Sequence, residues 1–207
     1  VHVDWTVNAA AVTTNNFDIS QIENKLKHRV VTSGCGQGTT FGGIMDELKE
    51  KTVHEFKIKQ STVYSLLKKL HDKNEIYRKS GAVHGCALCD NNEILDFVED
   101  VGRHNAVDAI AGHMWLNELQ GHEKIFYTTG RLTSEMVIKV AQMNISVLLS
   151  RSGITEMGLN VAKETNVTLL GRAKGRHFLV YNGKENIEFD AIPDPRPEGS
   201  ADIWKRR

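Results

Sequence analysis

Two segments of the sequence combine a Gly-Arg pair with the end of an extended run and the start of a helical one. They are EDVGRHNAVD (residues 99–108) and TTGRLTSEMV (128–137), and a third arginine, Arg151, follows another apolar run. An open α/β sheet has its ligand crevice at the carboxyl ends of its strands, where helix N-termini present unpaired N–H groups. Arginine adds a planar fork that matches phosphate or carboxylate. The pattern therefore predicts an anion site.

The runs at 124–129 and 145–150 are expected to be parallel neighbours, which would bring Arg131 and Arg151 to the same edge of the sheet. Thr133 and Ser134 would then cap a helix whose positive end faces the crevice. His104 is expected to hydrogen-bond to ligand or backbone, with a general acid or base role as the alternative.

A simpler interpretation of these arginines stays open. Each could pair with a nearby acid. The pairs would join Arg103 to Asp100 or Asp108, and Arg131 to Glu135.

A second candidate for chemistry is Cys35, which lies among Gly34, Gly36 and Gly38. A thiol in such a loop has little steric cover, which favours a nucleophile or sulfur carrier over a core residue. A cysteine that is exposed by chance is the alternative. No Lys, Arg or His lies within five residues, so any activation of the thiol must come from elsewhere in the fold.

Cys86 and Cys89 form a CxxC motif, with His84 two residues upstream. This motif can bind zinc or cycle as a dithiol. It lies in a predicted strand, however, where residues three apart point to opposite faces. We therefore expect packing cysteines and no structural metal. The zinc deaminase pattern is also unmet, because no proline precedes Cys86 and no H-x-E motif lies upstream.

The length and composition suit one medium domain, and the following features favour a soluble protein. Lys+Arg and Asp+Glu are equal at 26 each in 207 residues, so no global field would attract nucleic acid or an acidic membrane. No apolar run reaches the ~18 residues of a membrane span, and no segment resembles a signal peptide. Three cysteines favour a reducing compartment. We expect a cytoplasmic location.

The apolar spacing predicts how these motifs are positioned. A strand is expected over 1–7, and residues 32–40 should form a loop. A Ser-capped helix at 61–79, a hairpin at 83–98 and a helix at 105–119 follow. Strands at 124–129, 145–150, 166–170 and 177–181 then alternate with helices at 133–143 and 155–164. We expect one α/β domain over 1–192 and a polar Pro/Gly tail over 193–207.

Several of these motifs resemble the formate dehydrogenase accessory proteins of the FdhD type. They are EDVGRHNAVD, TGRLTSEMVIK (129–139), LLSRSGIT (148–155), TLLG (168–171) and GAVHGCALCD (81–90). The resemblance runs over about residues 32–181. It implies a three-layer cytidine-deaminase-like α/β fold, with a mixed sheet covered by helices and without the deaminase zinc ligands, in a protein that is usually a homodimer.

The resemblance also implies a function in molybdenum cofactor biosynthesis. Members of the family carry sulfur from a cysteine desulfurase to the molybdenum bis(molybdopterin guanine dinucleotide) cofactor before it enters formate dehydrogenase. Cys35 matches the family's loop cysteine and would bear the persulfide, while the basic residues would bind the guanine nucleotide phosphates. The implied cofactor-binding residues are Arg103, His104, Asn105, Thr129, Gly130, Arg131, Thr133, Ser134, Ser150, Arg151, Ser152, Arg172 and Lys174.

Three features depart from the family pattern. The usual C-G-x-C loop ends in Gly38 here, and the F-x-R segment after TL-x-G reads Arg172-Ala173-Lys174. The family's N-terminal segment is expected to be missing. One thiolate can still hold a persulfide, since a second cysteine would assist only its release as a disulfide.

Three functions are therefore compared. The leading one is a sulfurtransferase, and the second is a cofactor-binding chaperone without chemistry, which the glycine at position 38 keeps open. The third is a zinc hydrolase built on His84, Cys86 and Cys89.

Overall fold

The structure is a computed structural model that describes residues 1–13 and 53–195. The chain divides into two compact units, Val1–Glu47 and Leu48–Arg207. In the first unit, strands β1 (His2–Asp4) and β2 (Ala9–Ala11) form an antiparallel hairpin. The predicted strand over 1–7 is thus shorter than expected, because the chain turns between β1 and β2. The turn begins where the Asp4 carboxylate accepts a hydrogen bond from the backbone N–H of Thr6 at 2.9 Å.

The second unit contains a six-stranded mixed sheet in the order β5-β4-β6-β7-β8-β9. Strands β6, β7 and β8 are mutually parallel, while β4 lies antiparallel to β5 and β6, and β9 antiparallel to β8. The strands are β4 (His84–Cys89), β5 (Ile94–Asp100), β6 (Ile125–Thr128), β7 (Val147–Ser150), β8 (Thr168–Lys174) and β9 (His177–Asn182). A short parallel pair, β3 (Ile58–Lys59) with β10 (Ile187–Glu188), completes the unit after a 3₁₀ turn at Lys184–Asn186.

Within residues 53–195, five helices accompany these strands. They are α1 (Gln60–Lys73), α2 (Glu75–Ser80), α3 (Arg103–Leu116), α4 (Ser134–Gln142) and α5 (Glu156–Glu164). None of the helices within the described ranges is long and apolar enough to cross a membrane. The mixed α/β fold expected from the sequence is confirmed.

The predicted helix over 61–79 is broken into α1 and α2 at Asn74. The backbone leaves helical geometry there, with φ −73° and ψ 61°, and the side-chain amide donates to the Leu70 carbonyl at 2.6 Å. The predicted serine cap was also wrong. The helix begins one residue earlier, and the Ser61 hydroxyl donates to the Asp190 carboxylate at 2.6 Å.

The sheet has a buried layer on each face. One face packs on α1 through a cluster that includes Ala87, Cys89, Tyr127 and Leu149. Because side chains alternate along a strand, their neighbours point the other way. Leu88, Phe126, Leu148 and Leu169 are likewise fully buried on that second face. It is covered by α3, which contacts β4 and β5, and by the mutually packed α4 and α5.

Candidate functional site

The strand register brings three chain segments to one edge of the sheet. Cys86 pairs with Thr128 across the antiparallel β4–β6 ladder, and Thr128 pairs with Ser150 across the parallel β6–β7 ladder. Beyond the ladder, the Gly85 N–H donates to Thr129 Oγ1 at 3.1 Å, and the Thr129 N–H donates to the Gly85 carbonyl at 2.9 Å. The start of β4 therefore lies beside the Gly130-Arg131 turn.

Hydroxyl groups hold the loops at this edge. Ser150 Oγ donates to the Gly130 carbonyl at 2.6 Å, and Thr128 Oγ1 accepts from the Gly130 N–H at 3.0 Å. The Ser152 N–H donates to Ser150 Oγ at 2.9 Å. Two of the predicted ligand contacts, Thr129 and Ser150, are buried and use their hydroxyls in this framework. Their contribution in the structure is to fix the backbone that carries the arginines.

Arg103 is the most buried of the candidate arginines, with 8% of its surface exposed at the start of α3. Its aliphatic part packs on Gly130, where an added Cβ would stand 3.0 Å from Arg103 Cδ. Its Nε has no hydrogen-bond partner in the part of the chain that the structure describes. Because a buried polar group without a partner costs stability, this guanidinium is suited to receive an anion.

His84 shares this environment with two arginines. Burial lowers the pKa of its imidazole below the ordinary value, and the charges of Arg103 and Arg131 lower it further. Its Nδ1 is buried and has no hydrogen-bond partner among the described residues. From the sequence, His84 was a candidate only for zinc binding. No local sequence signal identifies its place, because that place depends on the antiparallel pairing of β4 with β6.

His104 lies on α3 next to this group and approaches α4. Its Nε2 is 3.1 Å from a carboxylate oxygen of Glu135. Burial lowers the pKa of His104, the Arg103 charge lowers it further, and the Glu135 charge opposes both. The neutral imidazole is therefore favoured near the site.

The acids proposed as alternative partners of Arg103 have other contacts. Asp100 Oδ1 accepts from the Gly102 N–H at 2.7 Å and from the side-chain amide of Asn105 at 3.1 Å. Asp108 forms an ion pair with Lys139 at 2.6 Å. Asn105, one of the predicted cofactor-binding residues, is exposed, and its side-chain amide donates a hydrogen bond to Asp100.

The start of α4 presents further polar groups near Arg131. Thr133 occupies the N-cap position, as predicted, but its side chain makes no capping hydrogen bond. Its Oγ1 is buried and has no hydrogen-bond partner among the residues described, and Ser134 next to it is also buried. A similar position at α5 behaves differently, since Thr155 Oγ1 accepts from the Gly158 N–H at 3.1 Å.

The remaining basic candidates lie elsewhere along the same edge. The Arg151 guanidinium carbon is 5.5 Å from the ring centre of Tyr77, and the residue lines a cavity beside α1 together with Lys174. Arg172 has a positive φ of 53° and donates its N–H to the Ser152 carbonyl at 2.8 Å. Its guanidinium lies against Gly153, 3.3 Å from where a Cβ would stand. The structure therefore places Arg103 and Arg131 with His84, and Arg151 with Tyr77.

The cysteines divide into two kinds. Cys35, the candidate persulfide carrier, lies outside the described residues. Cys86 and Cys89 are buried free thiols, and burial raises the pKa of each to about 12. Cys89 belongs to the core cluster on the α1 face, whereas Cys86 lies on the other face within 3.3 Å of Thr128 Oγ1. Over residues 1–13 and 53–195, no group of three or more His, Cys, Asp or Glu side chains could hold a metal.

Known proteins are similar to this chain in sequence and in architecture. The FdhD/NarQ family model matches residues 1–188. The chain is 34% identical to the sulfur carrier protein FdhD of Bacillus pumilus and 35% identical to that of Bacillus subtilis, each over 160 residues, or 77% of this chain and 61% of the relative. A crystal structure of a formate dehydrogenase accessory protein from Desulfotalea psychrophila matches with a TM-score of 0.63 and 32% identity, over 69% of this chain and 62% of that one.

The matches agree with one another in family and in fold. The chain spans about 61% of the length of the two Bacillus relatives. The family model nevertheless covers most of the chain, including both Gly-Arg segments. The chain belongs to the FdhD/NarQ family.

Proposed function

We propose that this protein is a sulfur carrier that serves formate dehydrogenase. Cys35 would take sulfur from a cysteine desulfurase as a persulfide and pass it to the bis(molybdopterin guanine dinucleotide) molybdenum cofactor, its substrate. The proposal is supported by relatives that are named sulfur carrier protein FdhD and by a structural neighbour described as a formate dehydrogenase accessory protein. A cytoplasmic homodimer is part of the same proposal.

The buried guanidinium of Arg103 is the observation that best supports binding of the cofactor. Its Nε lacks a partner among the described residues, and Gly130 leaves room for the Arg103 side chain beside the turn. Arg131 adds a second positive charge near His84. A phosphate group of a guanine nucleotide would supply the acceptors that this pair of arginines can use.

The proposed sulfur transfer needs only one thiol in the carrier. The Cys35 thiolate attacks the outer sulfur of the desulfurase persulfide, a new S–S bond forms, and the desulfurase thiolate leaves. In the delivery step the S–S bond of the persulfide would break, Cys35 would leave as a thiolate, and the two electrons that convert the neutral sulfur atom to a sulfide ligand would come from the molybdenum of the substrate. Because Gly38 stands where the family has a second cysteine, Cys35 has no neighbouring thiol in the sequence with which it could release the sulfur by forming a disulfide.

A chaperone that binds the cofactor without chemistry is the second candidate, and Gly38 is the feature that favours it. Mass spectrometry separates the two functions after incubation with a cysteine desulfurase and cysteine. We expect a mass gain of about one sulfur atom on Cys35, removed by dithiothreitol through thiol exchange.

Two variants complete this experiment. The double change Cys86→Ser and Cys89→Ser should keep the adduct, since both thiols are buried and protonated at neutral pH. Cys35→Ala should abolish it. If the wild type never acquires sulfur, while Cys35→Ala still binds nucleotide and supports formate dehydrogenase, the carrier function is wrong and the chaperone replaces it.

A further inference from the structure

Glu99, the first residue of the EDVGRHNAVD segment, has no role in the site described above. It lies near the end of β5 and pairs with Gly85 across the antiparallel ladder to β4. The next residue, Asp100, hydrogen-bonds within its own loop. The carboxylate of Glu99 instead contacts α2, whose residue Tyr77 lies 22 positions earlier in the chain.

This carboxylate caps α2 from outside the helix. Its two oxygens accept hydrogen bonds from the backbone N–H groups of Ile76 at 3.1 Å and of Tyr77 at 2.7 Å. These are the second and third residues of the helix, whose N–H groups find no acceptor within it. The N-cap side chain that usually accepts from them belongs to Asn74, which makes no capping bond and donates to the Leu70 carbonyl instead. A carboxylate of another element therefore holds the start of α2.

The junction between α1 and α2 also packs directly on the sheet beside Glu99. A Cβ added to Gly85 would stand 1.9 Å from Asn74 Oδ1, so the junction fits there only because position 85 has no side chain. A negative charge at a helix N-terminus is stabilising, since the N–H dipoles point toward it. Close backbone contact and charge-assisted hydrogen bonds thus fix α2 against the ends of β4 and β5.

Tyr77, which donates its N–H to Glu99, also places its ring against Arg151. The guanidinium carbon of Arg151 is 5.5 Å from the ring centre, a cation–π contact. None of the ion pairs among the residues that the structure describes includes Arg151. An aromatic ring on the flat face of a guanidinium leaves the N–H donors in its plane free to bind an anion.

We propose that Glu99 is a positioning residue for Arg151, acting through the start of α2 and the ring of Tyr77. The carboxylate fixes the backbone of Tyr77, and the ring then fixes the direction of the guanidinium. A cation that is ordered before its ligand arrives costs less entropy on binding. The inference rests on the proposed function and deepens it, because Arg151 is one of the proposed cofactor-binding residues.

NMR of the full chain without ligand tests the positioning directly. The ring of Tyr77 shifts the side-chain proton signals of Arg151, and Tyr77→Leu gives their values without the ring. Glu99→Gln keeps the size of the side chain but sets an amide N–H₂ group against one of the two backbone donors. We expect it to move the Arg151 signals toward those of Tyr77→Leu. The matched control is Glu75→Gln, an exposed acid on the same helix, which should leave them unchanged.

Calorimetric titration with GDP measures the consequence for binding. Glu99→Gln should weaken GDP affinity roughly three- to tenfold, the range of one ordered cation contact. The same change in the Arg151→Ala background should cause no further loss, because the residue through which Glu99 acts is then missing. A purely structural role of Glu99 would give the same loss in both backgrounds.

The outcomes separate this inference from the proposed function. Arg151 signals that keep their wild-type values in Glu99→Gln overturn the positioning role, and so does an equal loss of GDP affinity with and without Arg151. GDP affinity that Glu99→Gln leaves unchanged overturns it as well. If the wild type does not bind GDP while the Arg151 signals move as expected, the positioning role stands and the nucleotide binding of the proposed function is wrong.

Discussion

Arg103 and Gly130 are in direct contact, and a Cβ at position 130 would stand 3.0 Å from Arg103 Cδ and 3.3 Å from its Cβ. The glycine therefore leaves room for the Arg103 side chain beside the turn after β6. A longer residue there would force the guanidinium to shift by a few tenths of an ångström. The position of the Arg103 charge therefore depends on the lack of a side chain at Gly130.

Gly130→Ala should weaken the binding of GDP severalfold, because the displaced Arg103 guanidinium would meet the phosphate at a poorer angle. Calorimetry of both proteins measures the difference. The matched control is Gly112→Ala in α3, where an added Cβ meets nothing within 4 Å. That variant should bind GDP normally and gain about 0.5–1 kcal/mol in the free energy of unfolding. Equal loss of binding in both variants would contradict the role given to Gly130.

Arg131→Ala should reduce GDP affinity by roughly tenfold or more, because a charge-assisted hydrogen bond to phosphate is worth about 1.5–3 kcal/mol. Arg131 is exposed and its removal leaves the buried framework intact. Lys163→Ala on α5 removes one positive charge away from the edge and controls for the change in net charge. GDP binding that is equal in wild type and Arg131→Ala would show that the site is assigned wrongly.

The imidazole of His84 should titrate below its ordinary pKa of about 6.5 in the free protein. Burial and the charges of Arg103 and Arg131 all favour the neutral ring. A bound phosphate would offset those charges, so saturation with GDP should raise the pKa of His84. NMR titration of the His84 ring with and without GDP measures both values. A pKa that GDP leaves unchanged would place the nucleotide elsewhere.

The same depressed pKa values make stability depend on pH. His84 and His104 both have folded-state pKa values below the ordinary one, so the unfolded chain binds more protons in this range. Their contribution to stability is complete above pH ~6.5 and is lost as the pH falls through the folded pKa values. Urea unfolding at pH 7.5 and 5.5 should show the loss, and His84→Gln should reduce it. If the free energy of unfolding of His84→Gln falls between pH 7.5 and 5.5 by as much as that of the wild type, His84 does not contribute to the pH dependence of stability.

The purified protein should contain no stoichiometric zinc, because Cys86 and Cys89 point to opposite faces of β4. Elemental analysis of the purified chain tests this expectation. One zinc ion per chain that disappears in Cys86→Ser would contradict it and would return the zinc hydrolase to consideration. Cys86→Ser should itself be tolerated, since a serine hydroxyl can keep the contact with Thr128 Oγ1.

The sequence alone predicted most of the regular elements between residues 83 and 182. Apolar periodicity is a local property, so the hairpin around Asp90 and the alternation from β6 to β9 could be identified without any contact information. The parallel pairing of β6 with β7, which brings Gly130 and Arg151 to one edge, also followed from that alternation. The break at Asn74 did not, because it depends on the side-chain hydrogen bond of that residue to Leu70.

Tertiary structure decided which residues share the edge. His84 comes beside Arg103 and Arg131 only because β4 pairs antiparallel with β6, a register that no local pattern specifies. Arg151 meets Tyr77 of α2 although the two residues are distant in sequence. Residue type and spacing therefore predicted an anion site. The long-range pairing of strands and helices determined where each charge lies, since such contacts depend on packing and not on neighbouring residues.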